Sequence, residues 1–329
     1  MAKDIGIDLG TANVLINVKG KGIVLNEPSV VAIDTQTKKV LAVGSEAYRM
    51  VGRTPGNIHA VRPLKDGVIA DFDITEEMLA YFINKLNVKG FLSKPNILIC
   101  CPTNITSIEQ KAIVEAAEKS GGGKVFLELE PKVAAVGAGM DIFQPRGNMV
   151  IDIGGGTSDV AVLSMGEVVT SRSLRLAGDK MNSEIAAYVK KKHNLLIGEH
   201  TAETIKLTIG NVWHADASES LEIRGRDMVS GLPQSVSISA DEVESALHET
   251  MMEIIAAAKE VLEVTPPELS ADIIDRGIML TGGGALLRNI ASLFSEHLKV
   301  PVVLAENPLD AVALGTGILL DNIEHKRAY

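Results

Sequence analysis

The chain has 329 residues, 46% of them hydrophobic, 22% charged and only 3% aromatic. It is long enough for two cores, which must rest on aliphatic side chains. A net charge of −10 argues against a surface devoted to nucleic acid, which is bound through clustered lysine and arginine. No run approaches the ~20 apolar residues of a spanning helix. The few residues between Met1 and the first apolar run leave no room for a signal peptide.

In chain order, short strands are expected at 4–9, 13–18 and 23–33, separated by glycine turns. The first turn carries Asp8-Leu9-Gly10-Thr11 between the apolar runs Ile5–Ile7 and Val14–Ile16. The stretch 52–57, rich in Pro and Gly, reads as a loop in a small inserted subdomain. Met78, Leu79, Phe82, Ile83 and Leu86 then recur at helical spacing over 75–88. Strand 97–101 contains the only cysteines, Cys100 and Cys101, without metal spacing and suited to a reducing cytoplasm. The next helix is expected to begin near Thr106-Ser107, with Ser107 and Gln110 at capping-box spacing. Strand 125–129 leads into Glu130-Pro131 and a helix of small residues, and Pro145–Asn148 is the best boundary between halves.

The second half repeats the order. Asp152-Ile153-Gly154-Gly155-Gly156-Thr157 enlarges the first turn, between strands 149–153 and 159–163. Strand 167–174 follows, then helices from about 180, near 201–210 and over 241–263. Strand 277–280 meets a third glycine turn, Thr281-Gly282-Gly283-Gly284-Ala285, before helices 285–298 and 310–322. Two such series describe two related α/β lobes around a cleft.

The turns carry the chemistry. Successive backbone N–H groups in a glycine turn form an anion-binding nest, because no side chain blocks the approach. The carboxylates of Asp8 and Asp152 cannot hold a phosphate themselves, and a cation between them points to Mg²⁺. Two facing turns would clamp a metal–nucleotide phosphate tail. Neither a Walker A loop nor a Gly-x-Gly-x-x-Gly after a strand is present. Glu130, ending a strand beside the expected cleft, is the candidate to orient a water toward the terminal phosphate, with the Thr157 hydroxyl beside it and Glu128 as the alternative. The seven histidines show no metal spacing.

This arrangement resembles the actin-like ATPase superfamily. Asp4–Asn13, Gly52–Asn57, Arg62–Asp71, Glu222–Asp227, Thr265–Leu269 and Leu280–Leu287 look like the MreB family of bacterial actin homologues. Glu130–Ala135 and Pro102–Thr106 lean toward its MreB-like (Mbl) branch. The resemblance runs from about residue 4 to 322. It implies an actin-like fold of two lobes, each with a ribonuclease H-like core, around ATP and Mg²⁺. Lobe I would span 1–144 with a small subdomain at 33–67, and lobe II 145–317 with one at 182–242. Residues 318–329 would form a helix returning to lobe I. By matching motif positions, Thr11, Ala12, Asn13 and Gly154, Gly155, Gly156 and Thr157 would hold the phosphates, with Asp8 and Asp152 near the metal through waters. Glu203, Thr204, Ile205 and Lys206 would meet the ribose and adenine. Gly282, Gly283, Gly284 and Ala285 would back the nucleotide, and Glu130 with Thr157 would position the attacking water. Ser158 stands where a second threonine is common.

The same resemblance implies ATP hydrolysis coupled to head-to-tail protofilaments, paired as antiparallel double filaments on the inner face of the cell membrane. The partners would be cell-wall synthesis proteins and paralogues, and the output rod cell shape. No amphipathic extension precedes the first strand, so Phe91 and Leu92, between Lys89 and Lys94, are the candidates to enter lipid. A sugar-type kinase on the same fold is the alternative, but no separate base for a sugar hydroxyl is evident. A chaperone-type ATPase would need a substrate domain after the nucleotide module, where this chain stops at Tyr329.

Overall fold

A computed structural model describes residues 2–86, 88 and 93–321. Two five-stranded sheets share one topology. In the first, strands Ile5–Leu9, Asn13–Val18 and Gly22–Pro28 form an antiparallel meander. Strands Ile97–Cys101 and Val125–Leu129 then add in parallel on the other side of Ile5–Leu9. In the second, Asn148–Ile153, Ser158–Ser164 and Glu167–Leu174 form the meander. Ile278–Thr281 and Val302–Leu304 are the parallel additions. The duplication therefore extends from the turns to the order of every strand.

It extends to two helices as well. Glu130–Gly137 follows the last strand of the first sheet, and Ala311–Leu320 follows the last strand of the second. They pack on each other within a core that takes Leu98 from the first sheet and Val150 and Ala161 from the second. Small residues make this close crossing possible. Ala311–Leu320 also lies on strand Ile5–Leu9, and the Asn17 side chain donates to the Ala313 carbonyl at 3.2 Å. Each sheet has its own apolar core besides, around Ile7 and Phe82 in one and Ile151 and Phe294 in the other.

Several local expectations need correction. The capping box is Thr106 with Glu109, not Ser107 with Gln110: Glu109 N–H donates to Thr106 Oγ1 at 3.3 Å and Thr106 N–H to Glu109 Oε2 at 2.8 Å. A carboxylate is the better acceptor for an orphan N–H at a helix start. The stretch 23–33 breaks after Pro28 and resumes as Val31–Asp34 in a separate small sheet. The stretch 285–298 divides into a 3₁₀ turn, Gly283–Leu286, and a helix, Ile290–Leu298, because Asn289 adopts φ 63° between them. Unforeseen elements are the hairpin Ser220–Asp227/Pro233–Ser239 and the helix Pro267–Arg276. The loop with Lys89, Phe91 and Leu92 lies outside the described residues, as does the end of the C-terminal segment from 322.

Candidate nucleotide cleft

The two hairpin turns meet. A Cβ added to Gly155 would lie 2.6 Å from Ala12 Cβ, and one added to Gly156 would lie 2.5 Å from Thr11 Oγ1. Only glycine permits that approach. The second turn is braced from behind by helix Gly178–His193, whose Gly178 and Asp179 N–H groups donate to the Gly154 and Gly155 carbonyls at 3.1 and 2.8 Å. The third turn joins them: Thr281 Oγ1 donates to Asp152 Oδ1 at 2.6 Å. Gly282, at φ 82°, presses against the Ile153 carbonyl, where a side chain has no room.

These turns floor a cavity of about 620 Å³. Asp8, Thr11, Ala12, Asn13, Glu130, Asp152, Gly154 to Thr157, Glu203, Lys206 and Gly282 to Gly284 all line it. Three expected residues do not. Ile205 and Ala285 are 0% and 1% exposed and belong to the second core, and the Thr204 hydroxyl faces outward, donating to the His200 carbonyl at 2.8 Å. Helical geometry explains the split in the Glu203–Lys206 group: positions 203 and 206 share a face, while 204 and 205 turn away.

The cavity floor is electrostatically loaded. Burial pushes the Asp8 carboxyl up from 3.8 to about 7, and the Asp152 charge adds to this. Burial also raises Asp152 to about 7; the Thr281 hydrogen bond opposes this and the Asp159 charge reinforces it. Glu130 is driven well above its ordinary value, by burial first and then by Asp159, Asp152 and Asp8. Among the described residues no group of three or more His, Cys, Asp or Glu is placed to hold a metal ion. Two carboxylates that oppose each other's ionisation at the phosphate turns fit a divalent cation reached through waters, since the cation's charge would let both ionise.

Sequence reasoning missed the closure over this cavity. Tyr48 and Arg62, from the first half, line it together with Glu203. The Tyr48 hydroxyl donates to Glu203, Arg62 pairs with Glu199, and His200 Nε2 lies 3.1 Å from the Tyr48 carbonyl oxygen. The Tyr48 and His200 rings stack edge-on at 4.4 Å. Burial and then the Glu203 hydrogen bond raise the Tyr48 pKa, so its hydroxyl stays a donor. Tyr48 sits on a four-residue helix and Arg62 in a loop, and no sequence periodicity marks either. Tyr48→Phe should speed release of bound nucleotide by about 10-fold or more, the value of one hydrogen bond to a charged acceptor. Stopped-flow displacement of a fluorescent ADP would check this, and an unchanged off-rate would rule out a gating role.

A duplicated fold with three glycine turns around one interlobe cavity defines an actin-like nucleotide-cleft protein. Its match to MreB 5 of Spiroplasma citri bound to AMPPNP covers 99% of this chain and 98% of that one, with a TM-score of 0.94 at 40% identity. The MamK double helical filament shares the fold at a TM-score of 0.83 and 20% identity, over 97% of this chain and 98% of that one. The family described as MreB/Mbl protein matches residues 2–328, and the chain belongs to it. Within the family it is 70% identical to the cell shape-determining protein Mbl of Bacillus cereus, over 99% of each chain. Identity to the cell shape-determining protein MreB of Escherichia coli is 49%, over 98% of this chain and 94% of that one, which places this chain on the Mbl side.

Proposed function

We propose that this protein is a cytoskeletal ATPase that polymerises into membrane-associated filaments and organises cell-wall synthesis to maintain rod shape. The observation that carries the reading is the meeting of glycine turns from both sheets at the floor of one cavity. Thr11 to Asn13 and Gly154 to Thr157 would hold the phosphates, and Gly282 to Gly284 would back the nucleotide. Asp8 and Asp152 would hold Mg²⁺ through waters; when bound, that ion offsets the charge of the phosphates. Glu130 accepts a proton from the attacking water and Thr157 fixes its orientation. The division at 145, with small subdomains at 33–67 and 182–242, belongs to the same proposal. The 40%-identical MreB 5 of Spiroplasma citri, bound to AMPPNP, supports nucleotide binding here, and the MamK filament shows that the shared fold can assemble.

The helices crossing between the sheets suggest how turnover is read out. Glu130 opens one of them, so a change at the terminal phosphate reaches the lobe junction directly. ATP would favour the closed, polymerising shape and hydrolysis would relax it.

Among the described residues no helix is long and apolar enough to cross a membrane. Attachment would rest on Phe91 and Leu92, with Lys89 and Lys94 facing anionic head groups. Two such side chains supply only a few kcal/mol per subunit, so a filament binds through multivalency. Negative-stain microscopy on an anionic lipid monolayer with ATP tests the whole reading. Ordered double filaments are expected, whereas sugar-dependent ADP release without polymer would favour a kinase. In co-sedimentation with anionic vesicles, Phe91→Ser/Leu92→Ser should lose at least about 10-fold in bound protein. Unchanged binding would exclude this loop as the anchor.

A further inference from the structure

Four buried side-chain atoms among the described residues lack a hydrogen-bond partner: Asn148 Oδ1, Asp159 Oδ2, Ser173 Oγ and Asn182 Oδ1. Of the residues that carry them, only Asn182 lines the nucleotide cavity. Its side chain is 6% exposed, so bulk water does not satisfy it, and a buried carbonyl oxygen without a donor is costly. Neighbouring polar groups on the same wall are already engaged. The Lys206 ammonium donates to the Gly178 carbonyl at 3.0 Å, and the Glu203 carboxylate accepts from Tyr48.

We propose that Asn182 is a nucleoside-reading residue, whose carboxamide oxygen accepts a hydrogen bond from the sugar or base of the bound nucleotide. This inference rests on the cavity binding a nucleoside triphosphate, and it deepens that reading. The chemistry selects the end of the ligand. Phosphate oxygens are acceptors and would repel Oδ1, whereas the ribose hydroxyls and the adenine amine are donors. The placement agrees. Helix Gly178–His193 begins against the second phosphate turn, through Gly178 and Asp179. Asn182 stands about one turn further along, about 6 Å from Gly178, where a nucleoside would lie if its phosphates occupied the turns. A site that leaves a buried acceptor unpaired unless the right donor arrives discriminates against analogues that lack it.

Equilibrium binding of four probes to the full-length protein, wild type and Asn182→Leu, tests the assignment: ATP, 2′-deoxy-ATP, inosine triphosphate and inorganic tripolyphosphate. Asn182→Leu should weaken ATP binding about 10-fold, the worth of one such bond, and leave tripolyphosphate within about 2-fold. The wild type should disfavour one analogue, inosine triphosphate if the amine is read or 2′-deoxy-ATP if the 2′-hydroxyl is read, and the variant should lose that preference. Equal weakening of ATP and tripolyphosphate would reduce Asn182 to a structural part and overturn the proposal. So would a wild type that binds ATP and both analogues alike, a measurement that does not depend on the variant folding. Failure of the wild type to bind ATP at all would instead remove the nucleotide reading itself.

Discussion

Glu130→Ala should slow ATP hydrolysis by on the order of 100-fold, as expected for loss of a positioned general base, while ATP affinity stays within about 3-fold. The asymmetry follows from where Glu130 sits. It is the first residue of a helix whose next residue is Pro131, so its backbone direction is set by the proline ring and the end of strand Val125–Leu129. Its carboxyl lines the cavity but belongs to none of the three glycine turns. Removing it takes away the acceptor for the water proton and leaves the phosphate nest untouched. Burial, and then crowding by Asp159, Asp152 and Asp8, raises its pKa well above the usual range. In nucleotide-free protein these surroundings disfavour the Glu130 carboxylate, and the charge of a cation arriving with ATP would favour it. Phosphate release under single-turnover conditions, with fluorescent-nucleotide binding measured in parallel, checks both halves. Normal turnover in the variant would move the role to another group; equal loss of binding and turnover would make Glu130 structural.

The parts of the site that were legible in the sequence are those in which backbone performs the chemistry. Asp8–Thr11 and Asp152–Thr157 can be read because a nest requires glycine and because the flanking apolar runs force a hairpin. Their convergence follows from the repeat, since related lobes bring equivalent turns to one cleft. Residues whose role depends on side chains meeting across the chain were not legible. Tyr48 and Glu203 are 155 positions apart, and Asn182 carries no mark in its helix beyond polarity. Thr204 and Ile205 lie within a matched motif yet do not line the cavity, which takes Glu203, Lys206, Leu207 and Thr208 from the helix Glu199–Ile209. The missed hairpin Ser220–Asp227/Pro233–Ser239 does alternate, but each strand turns only two apolar side chains inward, Leu221 and Ile223 on one and Val236 and Ile238 on the other. The missed helix Pro267–Arg276 is amphipathic but only 10 residues long and buries only Ile273 completely, so few apolar positions mark it.

Asp8→Asn should make the nucleotide-free protein more stable at pH 8 and only by a fraction of that gain at pH 5, while removing the Mg²⁺ dependence of ATP affinity. Asp8 titrates near 7 in the folded chain against 3.8 when unfolded. Between those values the folded state holds a proton that the unfolded state has released, so this group's contribution to stability falls as pH rises from about 4 to about 7. The full shift corresponds to about 4 kcal/mol; water in the cavity screens part of it, and roughly 2 kcal/mol is the expected gain for the neutral amide above pH 7. Asp152 carries the same tension, so relieving one partner lowers the other and part of the gain arises there. The cost is functional. An amide lacks the negative charge that draws a hydrated cation to the turns, and ATP would then bind with the same affinity whether Mg²⁺ or EDTA is present. Chemical denaturation at pH 5 and pH 8, with ATP titrations under both conditions, separates the two consequences. If Asp8→Asn proves less stable than wild type at pH 8 and keeps its Mg²⁺ response, the paired carboxylates do not form the cation site, and the strain on the cavity floor needs another explanation.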